Sequence, residues 1–199
     1  MVLEDRYQPD RPITPIFKKR WSPYSFIEKD LSKEDLMTLF EAIRFAPSSF
    51  NEQPWRFFVA KRSQKKDFQK ILNCLVPGNQ DWAKYASVLM LSFYKENFTK
   101  NNKPNRVALY DLGAASAFLT MEATQRGLHV HQMAGIVPEK IIAEFSVPDG
   151  FKPATALAIG YTGDNPHLSK EIKQRDQVIK GRKEIGEFVF VGNWDNPIS

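Results

Sequence analysis

Cysteine is almost absent from this sequence of 199 residues, in which Cys74 is the single example. One thiol cannot form an internal disulfide, and it cannot supply the several thiolates of a cysteine-rich metal site. A chain without disulfides fits a reducing compartment, so we expect a cytoplasmic protein. Cys74 itself lies on the apolar face of a predicted helix, where we expect it to be a small buried hydrophobic residue.

Long apolar runs are also missing. The run at 88–94 is interrupted by Ser92 and falls far short of the ~20 residues that span a bilayer. The N-terminal residues lack the basic stretch followed by an apolar stretch that marks a secretory signal. We therefore expect no membrane partner.

Neither sign of charge is in strong excess, since 28 Lys and Arg stand against 23 Asp and Glu, a net charge of +5. This balance favours an anionic ligand only weakly. The sequence shows no helix-turn-helix signature and no aromatic RNA-binding pattern, so we expect no nucleic-acid partner. His129 and His131 would face one side of a strand, but no third or fourth ligand accompanies them, and we expect no metal site.

What the sequence does contain is a large apolar share, 42% of residues with fifteen Phe, which is enough for the core of one domain. Ser32, with Asp35 three residues later and apolar residues at helical spacing, predicts a capped helix that stops before Pro47. The small residues around Gly113 suggest that a long helix over 107–126 lies at the centre of the fold.

Strand and helix patterns alternate along the chain, which predicts one domain of the α/β or α+β class. We expect an extended, proline-rich arm at 1–17 and a single domain at 18–199. The polar stretch 97–105 is either a lid or a plain loop. The remaining predicted elements are helices at 63–75 and 138–145, strands at 55–61, 88–94 and 154–161, a turn at 77–79, and a strand or loop at 130–136.

Four segments are unusually polar or turn-like for their surroundings, namely 20–24, 46–57, Asn79 and 180–182. In the second segment, hydroxyl and amide side chains follow one another closely, and such groups can donate and accept hydrogen bonds at the edge of a heterocycle. The same residues equally suit a polar helix-to-strand loop whose side chains cap the backbone, and by themselves they favour that simpler interpretation.

Taken in order, these segments resemble the FMN-dependent nitroreductase family. The matching elements are Arg20-Trp-Ser22, Pro47-Ser-Ser-Phe-Asn-Glu-Gln-Pro-Trp55, Asn79, the small-residue helix with Asp111 and Gly113, and Lys180-Gly-Arg182. The resemblance runs from about Lys18 to Arg182. It implies an α+β fold with a central, mostly antiparallel sheet flanked by helices. It also implies a homodimer that binds FMN at the subunit interface.

The resemblance assigns the phosphate of FMN to Arg20, Ser22, Lys180 and Arg182. Guanidinium, ammonium and hydroxyl groups are the donors that a phosphate dianion prefers. Without the resemblance, 180–183 would be interpreted as a solvated basic run. Tyr24 stands where many members carry a basic residue, so we expect one phosphate contact to be either lost or replaced by a hydroxyl.

The flavin ring and ribityl chain are assigned, by the same resemblance, to three further groups. The first is Asn79, which is expected at the pyrimidine edge. The second, expected to come from the other subunit, consists of Pro47, Ser48, Ser49, Asn51 and Gln53. The third is a loop whose backbone N–H groups would face flavin N5 and O4 and in which Ala134 stands where some members have Glu; it consists of Gln132, Met133, Ala134, Gly135 and Ile136.

The function implied is oxidoreduction, in which hydride passes from NAD(P)H to flavin N5 and electrons then pass to a nitroaromatic, quinone or similar small-molecule acceptor. Because the cofactor carries this chemistry, we assign no catalytic side chain. Asp111 is expected to be structural. The alternatives are a specialised reaction of the same family (dehydrogenation, dehalogenation or flavin breakdown) or FMN binding without turnover.

Overall fold

The computed structural model describes residues 8–198, and its centre is one sheet of four antiparallel strands. The strands are β1 (Trp55–Lys61), β2 (Val88–Lys95), β3 (His129–Met133) and β4 (Phe151–Gly160). Their order across the sheet is β1-β2-β4-β3, and every neighbouring pair is antiparallel. This arrangement confirms the α+β class with an antiparallel sheet and excludes the α/β alternative, which requires parallel strands.

In the described part of the chain, seven α-helices surround the sheet, and the sequence predicted most of them to within a few residues. Among residues 8–198, no helix is both long and apolar enough to cross a membrane. The helices are α1 (Pro15–Lys19), α2 (Lys33–Arg44), α3 (Lys65–Asn73), α4 (Pro77–Ala83), α5 (Ala108–Gln125), α6 (Pro138–Phe145) and α7 (Lys170–Gln177).

The prediction of a reverse turn at 77–79 is wrong, because these residues begin helix α4. Pro77 occupies the first helical position, where the missing N–H of proline costs nothing and its fixed φ angle suits the helix.

At the N-terminus, residues 8–14 contain no helix or strand, whereas α1 begins at Pro15, inside the expected arm. The rest of that arm, 1–7, lies outside the described residues.

The sheet is covered on both faces. One core joins α2 and α5 to residues such as Met90 and Ile159, and the other joins α3, α4 and α6 to residues such as Leu89 and Leu91. Consecutive residues of β2 therefore enter opposite cores, and 88–93 are all buried. This double burial explains why the strand is apolar at nearly every position rather than at alternate ones.

Helix α5 is the most central helix, as its small residues suggested, because it contacts α1, α2 and strands β1, β2 and β3. Ala115 and Ala123 are fully buried on it, and their small side chains allow the neighbouring backbones to approach.

The capping of α2 is also confirmed: the Asp35 N–H donates to Ser32 Oγ at 2.9 Å, and the Ser32 hydroxyl donates to the Asp35 carboxylate at 2.6 Å.

We predict that Leu39→Ala lowers the free energy of unfolding by about 2–5 kcal/mol, because Leu39 is fully buried between α2 and α5 and its loss leaves a cavity. Met37→Ala is the matched control on the same helix, since Met37 is 55% exposed. It should change stability by less than about 0.5 kcal/mol. Urea unfolding measures both, and equal losses would contradict the assignment of this face to the core.

Candidate functional site

The two basic segments predicted to act together do meet in the fold. Arg20 and Ser22 follow α1, and Lys180 and Arg182 follow α7. All four line one cavity of about 530 Å³. The cavity is built from two stretches of chain, 13–24 and 175–182, and its other lining residues are Ile13, Phe17, Lys18, Trp21, Tyr24, Arg175, Val178 and Ile179.

The electrostatics of this cavity favour an anion. Arg20 is partly buried, and burial, followed by the nearby charge of Arg182, lowers the pKa of its guanidinium. Both effects disfavour a charged group, and a bound anion would offset both. Arg20 Nη1 also donates to Ser22 Oγ at 3.4 Å, which orients the hydroxyl beside the cation.

At the position where many members of the resembled family carry a basic residue, Tyr24 places an aromatic ring that packs inward. Its ring lies edge-on to Trp82, with centroids 5.1 Å apart, and to His131 at 4.7 Å. The guanidinium of Arg175 lies 5.5 Å from the centre of the same ring. Arg175 therefore brings a positive charge to the place where Tyr24 lacks one. Sequence reasoning missed Arg175 because it is one of several charged residues on a polar helix.

The two histidines of β3 are on the same side of the strand, as expected, but they make separate contacts. His131 Nδ1 donates to the carbonyl of Pro23 at 2.8 Å, and burial lowers the pKa of its imidazole. His129 packs edge-on to Trp21 at 5.6 Å. Across residues 8–198 no group of three His, Cys, Asp or Glu side chains could hold a metal ion.

The residues expected at the edge of a flavin ring are brought together at the end of β3. Asn79 Nδ2 donates to the carbonyl of Gly135 at 3.1 Å, and Leu75 pairs with Ile136 in a short β-bridge. A Cβ atom at Gly135 would lie only 2.5 Å from Asn79 Nδ2 and 2.7 Å from Val76 Cγ2. The close approach of α4, rather than a positive φ angle, is therefore what requires glycine here.

Gln132 connects this loop to the basic cavity. Its Nε2 donates to Thr120 Oγ1 of α5 at 3.1 Å, and its side chain lines a second cavity of about 270 Å³ together with Arg20 and Ser22. The side chain of Met133 is only 3% exposed and belongs to the core, which leaves its backbone, the group that the resemblance assigns to the flavin. Only the backbone of Met133 can face a ligand, whereas Ala134 is exposed.

The segment 47–53 is a tight polar loop held in a strained conformation. Phe50, Asn51 and Gln53 have positive φ angles of 52°, 55° and 50°, a region that non-glycine residues seldom occupy. Such strain persists only where surrounding contacts impose it, and it is common at functional sites. The side chains of the loop are also linked to one another: Ser48 Oγ accepts from the Gln53 N–H at 3.0 Å, and Gln53 Nε2 donates to Asn51 Oδ1 at 3.1 Å.

Two carboxylates, one on α5 and one within the loop itself, fasten this loop to its surroundings. Asp111, buried on α5, accepts the N–H of Ser49 at 3.1 Å, so it has the structural role expected of it. Glu52 accepts the N–H of Thr99 at 2.7 Å and also the Thr99 hydroxyl, and these bonds lower the pKa of its carboxyl group. The stretch 97–105 is thus a turn fastened to the loop.

The assembled donors suit a ligand with a phosphate at one end and a flat heterocycle at the other. Cations and a hydroxyl line the first cavity, and Gln132 lies in the adjoining one. The Asn79 amide and Gly135, which Asn79 contacts closely, lie beside the end of β3, the strand that carries Gln132. Both donor and acceptor groups are therefore available for a ring edge.

Comparison with known proteins gives a consistent result. The model of the "Nitroreductase family" matches residues 17–161. A crystal structure described as an oxidoreductase containing FMN is 34% identical to the chain and superposes with a TM-score of 0.90. The superposition covers 98% of this chain and all of that one. A 15.4 kDa protein of Mycolicibacterium smegmatis, whose activity its name does not state, is 35% identical over 72% of this chain and 99% of its own length.

A more distant relative is named for its activity. A putative NADH dehydrogenase/NAD(P)H nitroreductase of Ralstonia nicotianae is 25% identical over 73% of this chain and 86% of its own length.

We predict that Gly135→Ala destabilises the folded chain by about 1–3 kcal/mol, because the added methyl group would collide with Asn79 and Val76. Gly78→Ala on the adjacent helix α4 is the matched control, since a Cβ there meets nothing within 4 Å. That change should be neutral or slightly stabilising. Thermal unfolding followed by circular dichroism compares the two. A Gly135→Ala variant as stable as Gly78→Ala would show that the end of β3 is not so tightly packed.

Proposed function

This chain belongs to the nitroreductase family, and we propose that it is an NAD(P)H-dependent oxidoreductase that binds FMN and reduces a nitroaromatic, a quinone or a similar small molecule. The observation that carries the proposal is the meeting of Arg20 with Arg182 in one cavity. Arg20 is partly buried and lies near the charge of Arg182, an arrangement that a bound anion would stabilise, and the phosphate of FMN is a dianion of the required kind.

The residues of the chain fit the cofactor in three places. Arg20, Ser22, Lys180 and Arg182 would hold the phosphate, with Arg175 supporting the charge beside Tyr24. Asn79 and the loop from Gln132 to Ile136 would hold the edge of the ring, with Met133 contributing only its backbone. When bound, FMN supplies hydride acceptance at N5 and electron transfer to the acceptor.

The chain's own contribution is binding and orientation rather than proton transfer. His131 is a candidate acid or base on the same strand as Gln132, but its Nδ1–H is held by the Pro23 carbonyl and burial lowers the pKa of its imidazole, which disfavours the charged form. We therefore propose no catalytic side chain.

We further propose that the active form is a homodimer in which Pro47, Ser48, Ser49, Asn51 and Gln53 serve the FMN of the partner. The exposed side of α5 supports this, because it is largely apolar. Leu109 is 55% exposed and Tyr110 79%, and the small residues Gly113 and Ala117 are exposed between Tyr110 and Phe118. Phe45 is 73% exposed and lines a groove of about 620 Å³ with Phe118. Exposed apolar surface of this extent is typical of an interface.

The FMN proposal predicts a yellow protein with about one non-covalent FMN per chain. Arg182→Ala should weaken FMN binding by about 10- to 100-fold, since a charge-assisted hydrogen bond contributes roughly 1.5–3 kcal/mol. The dissociation constant is measured by quenching of flavin fluorescence on addition of the FMN-free protein.

Lys183→Ala is the matched control, because Lys183 neighbours the cluster, is exposed, and lies near Glu187 at 3.9 Å. It should retain normal FMN affinity. A colourless protein that FMN cannot reconstitute would contradict the proposed function, and equal affinity in the two variants would show that 180–183 is only a solvated basic run.

The dimer proposal predicts that Tyr110→Glu yields a monomer with little flavin, because a charge would be buried at the interface. Ile142→Glu, on a helix of the opposite face where Ile142 is 41% exposed, should remain a flavin-bearing dimer. Analytical ultracentrifugation with detection of flavin absorbance measures both. A Tyr110→Glu monomer that keeps its flavin would contradict the shared site.

A shared groove also predicts ping-pong kinetics, since the nicotinamide and the acceptor would use the same space in turn. Varying NAD(P)H at several fixed quinone concentrations should give parallel lines in double-reciprocal plots. A flat aromatic inhibitor should compete with both substrates. Intersecting lines would show instead that the two substrates bind together.

A further inference from the structure

The basic cavity is made of two segments that are distant in sequence, and one buried carboxylate joins them. Asp176, in the last turn of α7, accepts the N–H of Tyr24 at 2.8 Å through Oδ1 and the N–H of Ser25 at 2.7 Å through Oδ2. The two bonds cross sequence separations of 152 and 151 residues. Asp176 is only 8% exposed, so water competes little for these bonds.

The position of Asp176 in α7 gives these bonds a defined consequence. Earlier in the chain, Leu168 and Ile172 anchor α7 in the core, and Asn165 Nδ2 donates to the Phe26 carbonyl at 2.8 Å. Beyond Asp176 the helix ends at Gln177, and residues 178–184, which include Lys180 and Arg182, form no helix or strand. The direction in which this segment leaves the helix therefore depends on how its last turn is held.

We propose that Asp176 is a positioning residue for phosphate recognition. By accepting the N–H groups of Tyr24 and Ser25, it holds the segment carrying Arg20 and Ser22 at a fixed distance from the segment carrying Lys180 and Arg182. Asp176 would not touch the cofactor. The inference rests on the proposed function, in which these four residues bind the phosphate of FMN.

The negative charge of Asp176 allows its positioning role to be distinguished from a direct electrostatic effect on the phosphate. A carboxylate near the cavity repels a phosphate, so removing its charge alone would strengthen FMN binding. Removing its two hydrogen bonds would instead let the halves of the cluster separate and would weaken binding. The two effects have opposite directions, and the measured affinity shows which one dominates.

The test compares FMN with riboflavin, which has the same ring and ribityl chain but no phosphate. Asp176→Asn keeps the size of the side chain but presents an amide N–H to one of the two backbone donors. We expect the variant to bind FMN about tenfold more weakly or worse, because a buried N–H loses its acceptor. Its affinity for riboflavin should stay within about twofold of wild type, since the ring-binding residues are elsewhere.

Asp164→Asn is the matched control. It removes the same charge from the loop before α7, where the Asp164 side chain is 87% exposed and pairs with Lys173 at 2.8 Å. Both flavin affinities should be unchanged in this variant. Asp176→Glu serves as a milder second variant: it retains the carboxylate and should move the ratio of FMN to riboflavin affinity in the same direction by a smaller factor.

A second measurement needs no flavin. Trypsin can cleave after Lys180, Arg182 and Lys183, and if Asp176 holds this segment in place, the FMN-free Asp176→Asn protein should be cut there faster than the FMN-free wild type. Wild-type and Asp164→Asn proteins should be cut at equal rates.

The outcomes are distinguishable. An unchanged or increased ratio of FMN to riboflavin affinity in Asp176→Asn would overturn the positioning role. Equal weakening of both flavins would overturn it too, because that pattern indicates general destabilisation. If the wild-type protein bound neither flavin, the proposed function would fail; the trypsin measurement would then still test whether Asp176 holds the segment, and equal cleavage rates would overturn that.

Discussion

The architecture depends on the burial of strand β2 on both of its faces. All of 88–93 are excluded from solvent, and successive side chains enter different cores. A strand with no polar face must be covered twice, so helices are required on each side of the sheet. Helix α5 meets the requirement on one side with small side chains that permit close packing. Helices α3, α4 and α6 meet it on the other side with larger apolar ones.

This constraint leaves polar chemistry only at the margins of the sheet. The edge strand β3 carries the histidines and Gln132, and the loop after it meets α4 at Gly135. The segment after α1 lies against the chain that leaves β4, where Phe26 forms a bridge with Thr162 and the Ile27 N–H donates to the Tyr161 carbonyl at 3.0 Å. These margins are where a rigid scaffold can present cations, amides and backbone N–H groups without burying them unsatisfied.

Local patterns were reliable wherever a single element explained its own burial. Strand β1 has the predicted bounds, Trp55–Lys61, and helix α6 has the predicted bounds, Pro138–Phe145. The errors have physical reasons. Pro77 and Gly78 look like a turn, yet proline begins α4 because its first N–H needs no partner. The arm expected at 1–17 likewise contains helix α1, which also begins at a proline, Pro15.

The amino-acid sequence by itself determined most of the elements, the apolar core, the presence of a single thiol and the order of the polar motifs. It also carried the family resemblance, because that resides in residue types at given spacings. The resemblance already grouped Arg20 with Arg182, but only the tertiary structure showed that they line one cavity and which further residues join them. The proximity of Arg20 to Arg182, the charge of Arg175 beside Tyr24, and the bonds from Asp176 to Tyr24 and Ser25 join residues that are far apart along the chain. No local pattern encodes such pairs, because their distance is set by how α7 packs on the core.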